Sequence, residues 1–188
     1  KCSGPDQEQE REYLRRIETS VDHMSNMISE ILYEDRKVLL TTQEVLNMIL
    51  AQISPTDYAE RVCVDNRAPG AKVRVNSLRL TRAVINLVEN AYHARRDEEI
   101  RISLRVDEVE QKGRKMVRIC VEDNGKGIPQ EELDTVWRRG FSGRGSSGLG
   151  LSFVRDVVEQ SEGEIGIESK RNRGTKVTIL LPKGEAET

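Results

Sequence analysis

Apolar side chains near the N-terminus follow a heptad spacing. No Pro or Gly interrupts residues 8–34, and six apolar residues recur at alternating spacings of three and four: Leu14, Ile17, Val21, Met24, Ile28 and Ile31. This a/d stripe predicts a long, coiled-coil-like helix. Such a stripe cannot bury itself, which favours a dimeric bundle, and the alternative is a helix that lies on the following domain.

After residue 37 the pattern changes to a mixture of helical and alternating segments. Helices are predicted for Thr42 to Ile53, for Ser77 to about Arg95 and for Leu149 to Gln160, the first with Thr42 as N-cap and an apolar face of Val45, Leu46, Ile49 and Leu50. Strands are predicted at 61–64 and 72–75 on either side of a turn, at 100–109 and 115–122 as a hairpin, and at 164–168 and 175–181. This mixed order predicts an α+β fold, a two-layer α/β sandwich, preceded by the long helix.

Composition and charge limit the classes of function. The 188 residues are 36% apolar and 33% charged, enough for one core and a helical appendage. With 30 basic and 32 acidic residues, no overall charge would recruit nucleic acid or an anionic membrane. Three separated cysteines suggest neither disulfides nor zinc, so a cytoplasmic setting is expected. No apolar run approaches the roughly 20 residues that span a bilayer, so membrane attachment would come from segments outside this chain.

The second predicted helix carries two stripes. Its buried face is formed by five apolar residues at helical spacing: Leu80, Val84, Leu87, Val88 and Ala91. Asn86, Asn90 and His93 form a polar stripe along the border of that face, which favours ligand lining. An Asn carbonyl oxygen suits Mg²⁺, which binds a few protein oxygens together with phosphates and water. The alternative is a pair of border amides hydrogen-bonded to backbone.

The strand that follows ends in a glycine loop with an acidic start. Val117, Ile119 and Val121 alternate toward the core, so strand parity turns Asp123 inward. A buried carboxylate needs a donor, and the exocyclic amine of adenine is a suitable one. Gly125 and Gly127 are expected to allow positive φ and a close approach to a flat base. A solvated Asp-Asn-Gly turn is the alternative.

A second glycine-rich segment precedes the third predicted helix. Residues 143–150 are mostly Gly and Ser, so the free amides and the positive end of the helix dipole would face an anion. Arg144 adds a fixed charge and Ser147 a hydroxyl. The segment lacks the Gly-Lys-Ser/Thr ending of a P-loop and the preceding strand of a dinucleotide-binding turn.

Together these segments resemble the sequence boxes of the sensor histidine kinase catalytic domain, in the superfamily of gyrase, chaperone, kinase and mismatch-repair ATPases. The resemblance rests on Asn86-Leu-Val-Glu-Asn90-Ala91, Asp123-x-Gly125-x-Gly127, Phe141, Gly148-Leu-Gly150-Leu and Gly174-Thr175, and it covers about residues 40–183. It implies a Bergerat-type fold over residues 38–188 that binds ATP and Mg²⁺ under a lid at about 129–147. Residues 1–37 resemble the second helix of the dimerisation and phosphotransfer hairpin, which implies a homodimer.

The resemblance also implies roles for single residues. Asn90 would ligate Mg²⁺, Asn86 would support the phosphates, and His93 stands where the family often has Lys or Arg. Asp123 would bind adenine, Gly125 and Gly127 would line the base, Ile128 and Phe141 would cover it, and Thr175 would lie on the pocket floor. The phosphates would meet Arg144, Ser147, Gly148, Leu149 and Gly150. Departures from the family pattern are Ser146 in place of a Gly, a short lid, and His93 itself.

The resemblance further implies transfer of the ATP γ-phosphoryl group to a His on the dimerisation hairpin, then relay to an Asp of a response-regulator receiver domain. The His-Glu-x-Arg/Asn-x-Pro phosphoacceptor sequence is absent, and His23 falls on a solvent-facing c position of the heptad. We therefore expect ATP binding without autokinase activity by this chain alone. The alternatives are a hydrolytic ATPase, which would carry Glu at position 86, and a nucleotide-binding dimerisation scaffold of the same superfamily.

Overall fold

The structure, a computed structural model, describes residues 13, 36–95, 99–137 and 150–184. Apart from Tyr13, the predicted heptad helix, with His23, lies outside the described residues, and the domain boundary at residue 37 stays a prediction. The described α-helices and strands are, in chain order, β1 Val38–Thr41, α1 Thr42–Ile53, β2 Val62–Asn66, β3 Lys72–Val75, α2 Ser77–His93, β4 Ile102–Gln111, β5 Arg114–Asp123, α3 Gly150–Gln160, β6 Glu164–Lys170 and β7 Gly174–Pro182, with short 3-10 helices at Ala59–Arg61 and Gln130–Glu132.

The elements form two layers. Five strands make one sheet in the order β2-β4-β5-β7-β6, in which β2 and β4 are parallel and the other neighbours are antiparallel. The three helices cover one face of this sheet, and β1 and β3 form a separate antiparallel pair. The predicted two-layer α+β sandwich is therefore confirmed. None of the three described helices combines the length and the apolar character that crossing a bilayer requires.

The core lies where the helical and strand periodicities meet. The predicted apolar face of α2 is buried throughout, with Leu80, Val84 and Val88 each 0% exposed. On β5, Val117 and Ile119 are 0% and 3% exposed, whereas Glu122 on the opposite face is exposed. Because α2 and β5 share one core, the polar border of the helix and the end of the strand face the same region.

The start of α1 differs from the prediction by one residue. Thr41, not Thr42, is the N-cap, and it forms a capping box in which its side chain accepts from the Glu44 amide while the Glu44 carboxylate accepts from the Thr41 amide. Thr42 points inward and donates to the Ala68 carbonyl. Leu50, which was predicted on the apolar face, is 36% exposed, and Ile53 is 2% exposed. The buried face follows steps of four residues from Val45 to Ile49 and then to Ile53, and Leu50 lies outside this row.

The strands that flank the turn at 66–70 do not pair with each other. Strand β2 pairs in parallel with β4, with Val62 opposite Ile102. Strand β3 pairs with β1, which the sequence analysis did not predict, with Val75 opposite Val38. Both pairings join segments far apart in the chain, so no local turn signal announces them.

Candidate functional site

Asp123 lies at the end of β5 on the core-facing side, as strand parity predicts. Asp123 is 9% exposed, and its Oδ1 accepts a hydrogen bond of 2.7 Å from the Gly125 amide. Burial raises the pKa of the Asp123 carboxyl, the backbone amides of Gly125 and Thr175 partly oppose the shift, and the charge of Glu122 adds to it. The carboxylate is therefore poorly solvated and would gain from a further donor.

The glycines of the loop are required by the protein's own packing. A Cβ on Gly125 would come within 2.5 Å of the Ala94 carbonyl oxygen, and one on Gly127 would overlap the Lys170 carbonyl. Gly127 has a φ of +63°, as predicted, whereas the prediction of positive φ at Gly125 is wrong. The close approach at Gly125 is to the end of α2, and it needs the missing side chain rather than a left-handed backbone.

Backbone hydrogen bonds tie this loop to two neighbouring elements. The Lys126 amide donates to the Ala94 carbonyl at 2.8 Å, just after α2 ends. The Lys126 carbonyl accepts from the Asn172 amide at 2.7 Å, in the turn between β6 and β7. The end of the polar helix stripe and the Asp123 loop are thereby held against each other.

Two residues that the sequence analysis missed organise the same region. The Asn124 side chain accepts from the Arg101 amide at 2.8 Å and donates to the Glu99 carbonyl at 3.2 Å, which joins the loop to the start of β4. The Ser169 hydroxyl accepts from the Ile128 amide at 2.8 Å. The strand alternation of Ile165, Ile167 and Ser169 was a signal for Ser169, because it leaves a polar residue on the inward face of β6.

Thr175 lies on β7, the strand next to the one that ends in Asp123. It is half-buried on β7, opposite Ser169 in the strand register, with 2.9 Å between the two hydroxyl oxygens. Its backbone amide also helps to lower the pKa of the Asp123 carboxyl, against the effect of burial. Of the predicted base-contacting residues, the structure thus brings together Asp123, Gly125, Gly127, Ile128 and Thr175.

The polar stripe of α2 borders the start of α3. Asn86 and Asn90 are half-buried, and within the described ranges neither side chain makes a hydrogen bond. A Cβ on Gly150 would stand 3.5 Å from Asn90 Nδ2, so this amide adjoins the first residue of α3. Asn90 therefore lies beside a helix N-terminus, a position suited to an anion and its counter-cation.

His93 is exposed in the last turn of α2, and a neighbouring aromatic cluster anchors that turn. The Tyr92 ring lies 5.0 Å from the Tyr58 ring, and the Tyr92 hydroxyl donates to Asp57 at 3.2 Å. The Arg95 guanidinium stacks 4.2 Å above the centre of the Tyr92 ring. The cluster fixes the end of the helix from which His93 projects.

Several predicted site residues lie outside the described residues, namely Phe141, Arg144, Ser147, Gly148 and Leu149. The described part of the predicted lid reaches residue 137. In the described ranges, no group of three or more His, Cys, Asp or Glu side chains could hold a metal ion. A divalent cation at Asn90 would take its other oxygens from water and from a ligand, which is the usual coordination of Mg²⁺.

Comparisons with known proteins bear on the family and the fold of the chain. Residues 75–185 match the model of the family described as histidine kinase-, DNA gyrase B-, and HSP90-like ATPase. The chain is 33% identical over 169 residues to the sensor histidine kinase ZraS of Klebsiella oxytoca, an alignment that covers 86% of this chain and 36% of ZraS.

Solved structures share the fold. The mycobacterial sensor histidine kinase MprB matches with a TM-score of 0.65 and 25% identity, over 78% of this chain and 97% of the MprB chain. Full-length ShkA in complex with AMPPNP matches with a TM-score of 0.68 and 18% identity, over 100% of this chain and 41% of ShkA. The chain therefore spans well under half of the ZraS and ShkA chains.

Proposed function

Because the chain belongs to the histidine kinase-, DNA gyrase B-, and HSP90-like ATPase family, we propose that it transfers the γ-phosphoryl group of ATP to a histidine on a dimerisation domain. Within the family it carries the ATP-binding catalytic domain of sensor histidine kinases. Relay to an aspartate of a response-regulator receiver domain, and homodimerisation through residues 1–37, belong to the same proposal.

The adenine end of the proposed site is built around Asp123. The carboxylate accepts a hydrogen bond from the exocyclic amine of adenine. Because the carboxylate is buried and poorly hydrated, it gains from this donor. Gly125 and Gly127 line the base, Thr175 forms the floor, and Ile128 with Phe141 covers it. ShkA, whose fold the chain shares, has a structure in complex with AMPPNP, which supports an ATP-type ligand here.

The phosphate end of the proposed site joins α2 to the start of α3. Asn90 supplies a side-chain oxygen to Mg²⁺, Asn86 supports the phosphates, and His93 contacts them when protonated. Arg144, Ser147, Gly148, Leu149 and Gly150 complete this end. Bound Mg²⁺ would neutralise charge on the phosphate oxygens during transfer. The residues of the chain would position the triphosphate for in-line transfer.

The observation that carries transfer rather than hydrolysis is the amide at position 86. A hydrolytic site needs a base that takes a proton from water, and an amide cannot do so. Asn86 stands one turn before Asn90 on α2, where a catalytic Glu would face the phosphate. Glu89 lies on another side of the helix, near Tyr58, whose pKa is raised by burial and by the charge of Glu89.

Labelled ATP separates the two reactions. We expect the full-length protein to label a histidine from γ-labelled ATP, and this chain alone to release phosphate only slowly. Asn86→Glu should raise phosphate release, and Asn47→Glu, on the exposed face of α1, serves as the matched control. Multiple turnovers of hydrolysis by the unsubstituted chain without a histidine acceptor would contradict the proposal.

The acceptor in this proposal is not His23. The residues after His23 are Met24-Ser25-Asn26, without the acidic residue that directly follows the His in the phosphoacceptor pattern, and Ile28 stands at the position of its Pro. His23→Gln in the full-length protein should therefore leave histidine labelling intact. Loss of the label in that variant would place the acceptor in this chain.

A further inference from the structure

The Ser169 hydroxyl has three polar neighbours and one proton. It accepts from the Ile128 amide at 2.8 Å, lies 2.8 Å from the Gly174 carbonyl oxygen, and lies 2.9 Å from the Thr175 hydroxyl. A carbonyl oxygen only accepts, so the Ser169 proton is donated to Gly174. The second lone pair of Ser169 then accepts the proton of Thr175, which fixes the direction of that hydrogen bond.

This arrangement fixes what Thr175 offers to a ligand. Its only hydroxyl proton is directed at Ser169, so the oxygen presents lone pairs and no donor to the pocket. Thr175 shares the inward face of β7 with Val177, and Asp123 lies on the same face of the neighbouring strand β5. The floor therefore presents acceptors from both residues.

We propose that Ser169 is a positioning residue that orients the Thr175 hydroxyl and thereby makes the site select adenine over guanine. The inference rests on the proposed function, because it specifies which purine the same site takes. Adenine presents an amine donor at position 6, whereas guanine presents a carbonyl acceptor there. Because the Thr175 proton is donated to Ser169, the Thr175 oxygen presents only lone pairs to the guanine oxygen. Two acceptors then face each other, which disfavours guanine.

Asp123 alone does not make this distinction. A carboxylate binds the amine of adenine, and it also binds the N1–H and N2–H donors of guanine in a shifted pose. In that pose the guanine oxygen would turn toward Thr175, and a freely rotating hydroxyl could donate to it. Removal of Ser169 gives Thr175 that freedom.

The test is the ratio of GTP to ATP dissociation constants. In Ser169→Ala we expect this ratio to fall about tenfold. That is the usual difference in binding between a buried acceptor without a donor and one with a donor, and the acceptor here is the guanine oxygen. Ile128 also loses its acceptor in this variant, but a looser loop weakens both nucleotides alike and leaves the ratio unchanged. Ser169→Thr keeps the hydroxyl and should restore the ratio of the unsubstituted protein.

A double-mutant cycle tests whether Ser169 acts through Thr175. Thr175→Val removes the hydroxyl, so Ser169→Ala added to it should change the ratio no further. An unchanged ratio in Ser169→Ala, or an equal fall in the Thr175→Val background, would overturn the inference. Failure of the unsubstituted protein to bind ATP would instead overturn the proposed function.

Purine analogues test the same polarity without a substitution, should Ser169→Ala not fold. For the unsubstituted protein we expect ATP to bind most tightly and inosine triphosphate clearly less tightly. Inosine triphosphate carries the position-6 oxygen and the N1–H of guanine without the 2-amine, so it keeps one donor for Asp123 in the shifted pose and still sets its oxygen against the lone pairs of Thr175. If inosine triphosphate binds as tightly as ATP, the position-6 oxygen meets a donor in the pocket and the inference is wrong.

Discussion

Gly127→Ala perturbs the site loop at the point where its backbone is most constrained. Gly127 has a φ of +63°, and a Cβ there would overlap the Lys170 carbonyl. The substitution therefore combines a left-handed alanine with a backbone clash. Relief of the clash requires the loop to move away from the turn between β6 and β7.

The expected cost can be worked from its parts. A left-handed alanine costs about 1 to 2 kcal/mol. Movement of the loop breaks the hydrogen bond from the Asn172 amide to the Lys126 carbonyl and the one from the Ile128 amide to Ser169, each contributing about 1 kcal/mol. The free energy of unfolding should fall by about 3 to 4 kcal/mol in total.

Substitutions at two other glycines separate the conformational cost from the cost of the clash, both measured as free energies of unfolding in urea. Gly113 has a φ of +74° with nothing within 4 Å, so Gly113→Ala should lose only the conformational part, about 1 to 2 kcal/mol. Gly125 lacks positive φ but would place a Cβ 2.5 Å from the Ala94 carbonyl, so Gly125→Ala isolates the clash. If Gly127→Ala is no more destabilising than Gly113→Ala, the loop does not pack as described.

Three further substitutions test separate links of the account. Asp123→Asn should raise the free energy of unfolding of the nucleotide-free protein at neutral pH. Burial raises the pKa of Asp123 in the folded protein, so the stability that its protonated form contributes is present below the ordinary pKa of 3.8 and is lost as pH rises through the raised pKa. The variant lacks this loss, and a difference in stability between the two proteins that does not widen as pH rises would refute the prediction. Thr41→Ala should lower the free energy of unfolding by about 1 kcal/mol in urea denaturation, because the Glu44 amide loses its cap, and no loss would show that the capping box does not form in solution. Asn90→Ala should remove the part of ATP affinity that depends on Mg²⁺, measured by titration with and without the cation, and a retained Mg²⁺ dependence would exclude Asn90 as a ligand.

Local periodicity was sufficient for the elements that hold the site. The apolar faces of α2 and β5 follow helical and strand spacings over many residues, so Leu80, Val84, Val117 and Asp123 could be assigned to the core side from sequence. The resemblance to a known family then connected the two elements, since spacing along the chain does not show which polar residues meet in space.

The features that were missed depend on contacts between distant segments. The parallel pairing of β2 with β4 joins Val62 to Ile102 and leaves no turn signal. The constraint on Gly125 comes from the Ala94 carbonyl, which a sequence pattern cannot place. Ser169 had a local signal in its inward strand position, but its role follows from three hydrogen bonds to the loop and to β7.

Calorimetric titration of Mg²⁺-ATP tests the central claim most directly. Asp123→Asn replaces an acceptor by an amide whose donor would face the amine of adenine, and loss of a charged hydrogen bond corresponds to about a 10- to 150-fold weaker dissociation constant. Glu122→Gln is the matched control, because it is the adjacent carboxylate on the exposed face of β5. We predict weakened binding in Asp123→Asn and unchanged binding in Glu122→Gln. Equal affinity of Asp123→Asn and the unsubstituted chain would contradict the account.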